Sequence, residues 1–164
     1  MKNTKVQAYL ERWNKADDMI EFTVSSATVE LAAQALGVAP ALIAKSLTFY
    51  DSPDSCLMII TAGDAKIDNA EFKKEFGKKA RMLTAEDVTR LTGHEIGGVC
   101  PFALPDKGVR VFLDRSLERF DVVYPACGSD HSAIGLKLSE LYEISGALGW
   151  VDVCKAWRLS EQSG

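Results

Sequence analysis

Two apolar runs joined by a four-residue turn constrain this chain more than any other feature. Residues 44–50 read AKSLTFY and residues 57–61 read LMIIT, with Asp51-Ser52-Pro53-Asp54 between them. Aliphatic, aromatic and β-branched side chains in short runs fit a pleated strand, and a Ser-Pro-Asp segment turns the chain. The pair reads as a β-hairpin whose second strand is the more buried. Around it the apolar spacing switches between strand and helix periods. Val6, Leu10 and Trp13 share one face, so residues 4–14 read as an amphipathic helix. Ile20 to Val24 reads as a short strand. Ser26 or Thr28 can cap a helix with Leu31, Ala32, Ala35 and Leu36 inward, ended by Gly37. Asp68 or Asn69 can cap a helix through Phe76, and Thr84-x-x-Asp87 resembles a capping box for a helix ending near Gly93. Residues 80–83, 109–113, 122–124, 133–138 and 150–153 have strand character, and Ser139 can cap a last helix ending at Gly146.

Helices do not follow every strand, and several strands look like hairpin partners. The expected class is therefore α+β, a mixed sheet of six or seven short strands flanked by short helices, rather than a doubly wound fold. A chain of 164 residues, 47% hydrophobic and 26% charged, suits one domain over residues 1–164 with a core of its own. The tail after about Leu159 reads as loose.

Charge and cysteine usage narrow the function classes. A net charge of −4 argues against broad binding along nucleic acid, so no DNA partner is expected, while contact with one end of an RNA stays open. No apolar run nears the roughly 20 residues of a membrane span. Met1-Lys2-Asn3-Thr4-Lys5 leads into no apolar stretch, so a cytoplasmic protein without a membrane partner is expected. Cys56, Cys100, Cys127 and Cys154 form no C-x-x-C pair, which argues against a zinc site or a disulfide framework. Residues 72–81, FKKEFGKKAR, carry five basic residues against Glu75. They read either as a solvated helix face or as a phosphate-contacting patch that includes Lys73, Lys74 and Lys78.

Three local patterns can carry chemistry. In Gly93-His94-Glu95-Ile96-Gly97-Gly98-Val99-Cys100-Pro101 the glycines and proline suit a tight loop whose backbone N–H groups can face a ligand. Such donors serve a developing oxyanion, although a plain turn has the same composition. Lys45 lies in an apolar strand and shares a face with Leu47 and Phe49. A lysine there either reaches solvent from the strand end or is held for use. Cys127-Gly128-Ser129-Asp130-His131-Ser132 precedes a strand and reads as a polar turn or as a loop offering His131 as a base.

These three features, in this order, resemble the YbaK/prolyl-tRNA editing-domain family. The resemblance rests on LAAQALGVAPALIAKSLTF (31–49), TAGDAKID (61–68), TGHEIGGVCPFALP (92–105), VRVFLDRSL (109–117) and, in type, GSDHSAIGLKLSEL (128–141). It covers roughly residues 5–155. It implies a mixed sheet curled into a partial barrel. It also implies hydrolysis of the ester between a misattached small amino acid, such as Ala, Cys, Ser or Thr, and the terminal adenosine of tRNA. Lys45 matches the family's functional lysine, and Gly97 and Pro101 match its G-x-x-x-P loop. Lys45, Gly97 and Gly98 are then the expected catalytic groups. Pro101, Phe49, Thr28, Gly128, Ser129 and His131 are the expected substrate contacts, and Phe22, Thr23 and Ser26 are further candidates for shaping the pocket. No metal or organic cofactor is expected. The partners would be the acceptor end of tRNA and an aminoacyl-tRNA synthetase. Two departures stand out: Cys100 precedes Pro101, and Ala103 follows Phe102 where members often carry glycine.

Rival readings remain. Cys100 could serve as a thiol nucleophile with His131 as base. The chain could bind a tRNA end or a synthetase without catalysis, or hydrolyse a small-molecule ester on the same fold.

Overall fold

The computed structural model describes residues 3–158, so the expected loose tail lies outside the described residues. The hairpin forms at the centre of the molecule. Its second strand, β3 (Ser55–Ala62), is buried at seven of its eight positions, Cys56 through Ala62, because both faces are covered. Each such aliphatic side chain contributes about 1.5–3 kcal/mol on burial. Its antiparallel partner β2 (Ile43–Ser52) sets Lys45 opposite Thr61 and Phe49 opposite Leu57.

Four more strands complete the main sheet. β5 (Val109–Asp114) runs parallel to β3, and β9 (Trp150–Val151) runs parallel to β5. On the other side, β6 (Val122–Pro125) pairs parallel with β2 at Ile43 and Ala44, and β8 (Leu136–Lys137) pairs antiparallel with β6. The order is β8-β6-β2-β3-β5-β9, curled into a half-barrel as the family resemblance implied. Two small ribbons close it: β1 (Ile20–Glu21) with β7 (Ser132–Ala133), and β4 (Lys66–Ile67) with β10 (Cys154–Lys155).

Helix ends follow their caps. α2 (Val29–Leu36) starts where the Thr28 hydroxyl accepts the Leu31 N–H at 3.1 Å, and stops at Gly37. Asp68 caps α3 (Asn69–Phe76) and Thr84 caps α4 (Ala85–Thr92). α3 is clamped to the sheet by Phe49 against Phe72, Phe72 against Phe76, and Phe76 against Phe112, with centroids 4.9, 4.8 and 5.3 Å apart.

Several local expectations need correction. α1 (Thr4–Glu11) ends before Trp13. On α2 the inward residues are Ala32 and Ala33, while Leu31 is 39% exposed. The last helix, α5 (Leu138–Ile144), is capped at Lys137, whose N–H donates to the Glu140 carboxylate at 3.0 Å, and Ser139 lies inside its first turn. Residues 133–138 are split between β7 and β8, and 80–83 contribute one bridge, Met82 to Phe49. Among the described residues no helix is long and apolar enough to cross a membrane.

Candidate active site

A gap along the edge of β2 creates the site. β6 covers that edge only at Ile43 and Ala44. At the other end Tyr50 N–H donates to Arg81 O at 2.9 Å, and Leu83 N–H donates to Thr48 O at 3.3 Å. Main-chain groups alternate along a strand, so residues 44, 46, 48 and 50 direct theirs away from β3. Ser46 N–H and C=O therefore face the interval that neither neighbour fills. A cavity of about 270 Å³ lies along this edge. Its walls are Ala44 to Ser46 and Thr48 of β2, Ser26 to Val29 at the start of α2, Met82 and Leu83, Tyr124 of β6, and Ile96, Gly97 and Val99 of the glycine loop.

Lys45 and Gly97 both border this cavity. The Lys45 ammonium donates to the carbonyls of Ala65 at 2.5 Å and Gly63 at 3.4 Å. It is half-buried, and loss of solvation pulls its pKa below the usual lysine value. Gly97 has φ +95°, a conformation that favours glycine, and its N–H carries no hydrogen bond among the described residues. Gly98 differs: its N–H closes a turn onto Glu95 O at 3.0 Å. A Cβ there would lie 2.6 Å from the Gly128 carbonyl carbon and the Ser129 nitrogen, so Gly98 lets two loops meet.

The remaining expected contacts are dispersed. Thr28 borders the cavity, but its hydroxyl already caps α2. Phe49 does not line the cavity; it turns to Phe72 on the other face of β2 from Ser46 and Thr48. Pro101 is buried and outside the lining; Gly128 and Ser129, both half-buried, also lie outside it. Gly128 O accepts from the Asn3 side chain at 3.0 Å, and Ser129 Oγ lies 2.8 Å from Ser132 Oγ. The His131 side chain is 45% exposed and its Nδ1 lies 2.5 Å from the Asp130 carboxylate. Of the other candidates Ser26 lines the cavity, whereas Phe22 and Thr23 do not. Ser46, Thr48, Tyr124 and Ser132 also line it and were not singled out from the sequence. The available signal was alternation: with Phe49 in the core, Ser46 and Thr48 must face the other way.

Cys100 is fully buried and does not line the cavity. Burial pushes its thiol up to about 12, and the imidazole beside it, at 3.5 Å, belongs to His94 rather than His131. That environment does not suit a thiolate nucleophile. His94 is itself buried, with Nε2 2.7 Å from Phe102 O, and so braces the loop between its two ends. The other three cysteines are likewise buried, and none is in a disulfide.

The basic segment is divided. Lys73 and Lys74 are exposed on α3, on the sheet face away from the cavity, and Lys78 is tied to Asp51 at 2.8 Å. Lys79 and Arg81 are exposed on the stretch leading into Met82 at the cavity wall.

Comparison with known proteins converges on one family. The family model described as an aminoacyl-tRNA editing domain matches residues 23–144. The uncharacterized protein YwhH of Bacillus subtilis (strain 168) is 51% identical over 157 residues, covering 96% of this chain and 99% of that protein. A proline–tRNA ligase of Thermotoga sp. (strain RQ2) is 30% identical over 96 residues, which is 58% of this chain and 16% of the ligase. A crystal structure titled "a putative trans-editing enzyme for prolyl tRNA synthetase" superposes with a TM-score of 0.82 at 28% identity, covering 93% of this chain and 96% of that one.

Proposed function

The chain belongs to the aminoacyl-tRNA editing domain family, and on that premise we propose that it is a trans-acting deacylase, hydrolysing the ester that joins a misattached small amino acid to the end of a tRNA. The observation that carries this reading is the meeting of Lys45 and Gly97 on one cavity. An aminoacyl ester is already activated, so the site has to orient the carbonyl, stabilise its oxygen and admit water. Gly97 N–H, unbonded among the described residues, is the donor for the oxyanion. The Lys45 ammonium holds the ribose or polarises the carbonyl from the cavity wall. The free hydroxyl of the terminal ribose helps activate the attacking water, which adds to the carbonyl. The tetrahedral intermediate then collapses to the free amino acid and the tRNA.

Selection is steric: the cavity walls hold a small side chain such as Ala, Cys, Ser or Thr beside the terminal ribose and leave larger ones no room. The acceptor end of tRNA is the partner this requires, and a synthetase that releases mischarged tRNA is the second. The test is deacylation of tRNA for proline carrying Ala, Cys, Ser, Thr or Pro, beside the matched cognate pairs. Rapid loss of one or two small misattached residues is expected, with cognate esters spared. No hydrolysis at catalytic enzyme concentrations would leave a non-catalytic tRNA-end binding module as the better account.

A further inference from the structure

Four buried side-chain polar atoms lack a hydrogen-bond partner among the described residues, and two of them, Ser26 Oγ and Ser46 Oγ, belong to residues lining this one cavity. Ser26 is 8% exposed and approaches from the start of α2; Ser46 comes from the edge of β2. Nothing nearby satisfies them. The surrounding wall is largely apolar, with Ile43, Val88, Ile96 and Val99, and two other cavity hydroxyls are committed. Thr28 Oγ1 accepts the Leu31 N–H, and Ser132 Oγ bonds Ser129 Oγ. A hydroxyl kept dry without a partner is costly, and its occurrence twice at one cavity calls for a cause.

We propose that Ser26 and Ser46 select a hydroxyl-bearing amino acid, so that the preferred esters are seryl and threonyl rather than alanyl. The inference rests on the deacylase reading and gives it a substrate class. Both oxygens are sealed from water in the present conformation. Rotation of either hydroxymethyl group about χ1, among its staggered wells, turns the oxygen toward a ligand. A substrate hydroxyl then donates to one serine and accepts from the other. A methyl group in the same place leaves both unpaired, which is how a site built for a hydroxyl rejects its isostere far better than an apolar pocket rejects an extra one.

The decisive comparison is seryl against 2-aminobutyryl on one tRNA body, because the two side chains match in size and differ in the hydroxyl. Wild type should show kcat/KM higher by about tenfold or more for seryl. Ser26→Ala and Ser46→Ala should each pull that ratio toward one. Both variants should keep or raise Tm, because each sheds an unpartnered polar atom. A drop in Tm would show the hydroxyl already bonded in the protein and overturn the proposal. Equal wild-type rates on the two esters would also overturn it while leaving the deacylase reading in place. So would a seryl preference that neither variant reduces. Failure to cleave any small aminoacyl ester would remove the deacylase reading and this inference together.

Discussion

Ala103 has φ +55°, in the left-handed region, directly after the buried Phe102 that anchors the glycine loop. A Cβ in that conformation costs about 1–2 kcal/mol. Glycine removes this cost but loses about 0.5–1 kcal/mol more in backbone entropy on folding. The strain term is the larger, so Ala103→Gly should raise unfolding stability by roughly 0.5–1 kcal/mol in urea titrations; a loss would contradict the strain. Lys45, the proposed catalytic group, works the other way and is held against stability. Desolvation sets its folded pKa below the unfolded value, so between the two the unfolded chain binds more protons and stability rises with pH. At neutral pH the half-buried ammonium is held at a cost in desolvation. Lys45→Met should therefore raise Tm while abolishing deacylation, and a fall in Tm would show that the bonds to Ala65 O and Gly63 O outweigh the desolvation.

At the scale of elements, residues 93–102 behave as one braced unit between α4 and the buried Phe102. Burial lowers the His94 pKa, and the nearby Lys5 charge adds to that. The folded pKa lies below the unfolded value near 6.5, so stability is fully present above the latter and falls as pH drops through the folded pKa. His94→Ala should remove this acid limb and leave Phe102 O unpaired, at about 1–3 kcal/mol, with slower deacylation as the loop loosens. Stability against pH by thermal melts checks it: a variant with the wild-type slope below pH 6.5 sinks the assignment.

What could be read beforehand follows the same division. The hairpin at 51–54 and the caps at Thr28, Asp68 and Thr84 were legible because each depends on a few adjacent residues. Ser139 misled because a carboxylate three residues beyond Lys137 made the better cap. Lys45 and Gly97 could be named, but not the cavity. It exists because β6 and the 81–83 segment, far apart in sequence, leave the middle of one strand edge uncovered. The same parity that sent Phe49 into the core assigned the cavity to Ser46 and Thr48, and local sequence did not say which face was which.

Over the whole molecule, α1 fastens the two loops behind the site, with Asn3 donating to Gly128 O and Lys5 to Gly93 O, at 3.0 and 2.9 Å. With the chain net acidic, tRNA attraction has to be local. Lys79 and Arg81 stand next to the cavity wall along the chain, whereas Lys73 and Lys74 lie across the sheet on α3. We expect charge reversal at Lys79 and Arg81 to raise KM for charged tRNA several-fold at low salt, and reversal at Lys73 and Lys74 to raise it less, both effects shrinking as salt is added. The opposite order would place the acceptor stem on the α3 face.

On this reading the cavity bordered by Lys45 and Gly97 performs the hydrolysis. The deciding experiment is single-turnover deacylation of seryl-tRNA for proline by wild type and by Lys45→Ala, with folding of the variant verified by its thermal melt. Wild type should cleave rapidly and the variant should lose about a hundredfold or more. A folded Lys45→Ala protein that cleaves the ester at the wild-type rate would place the chemistry elsewhere.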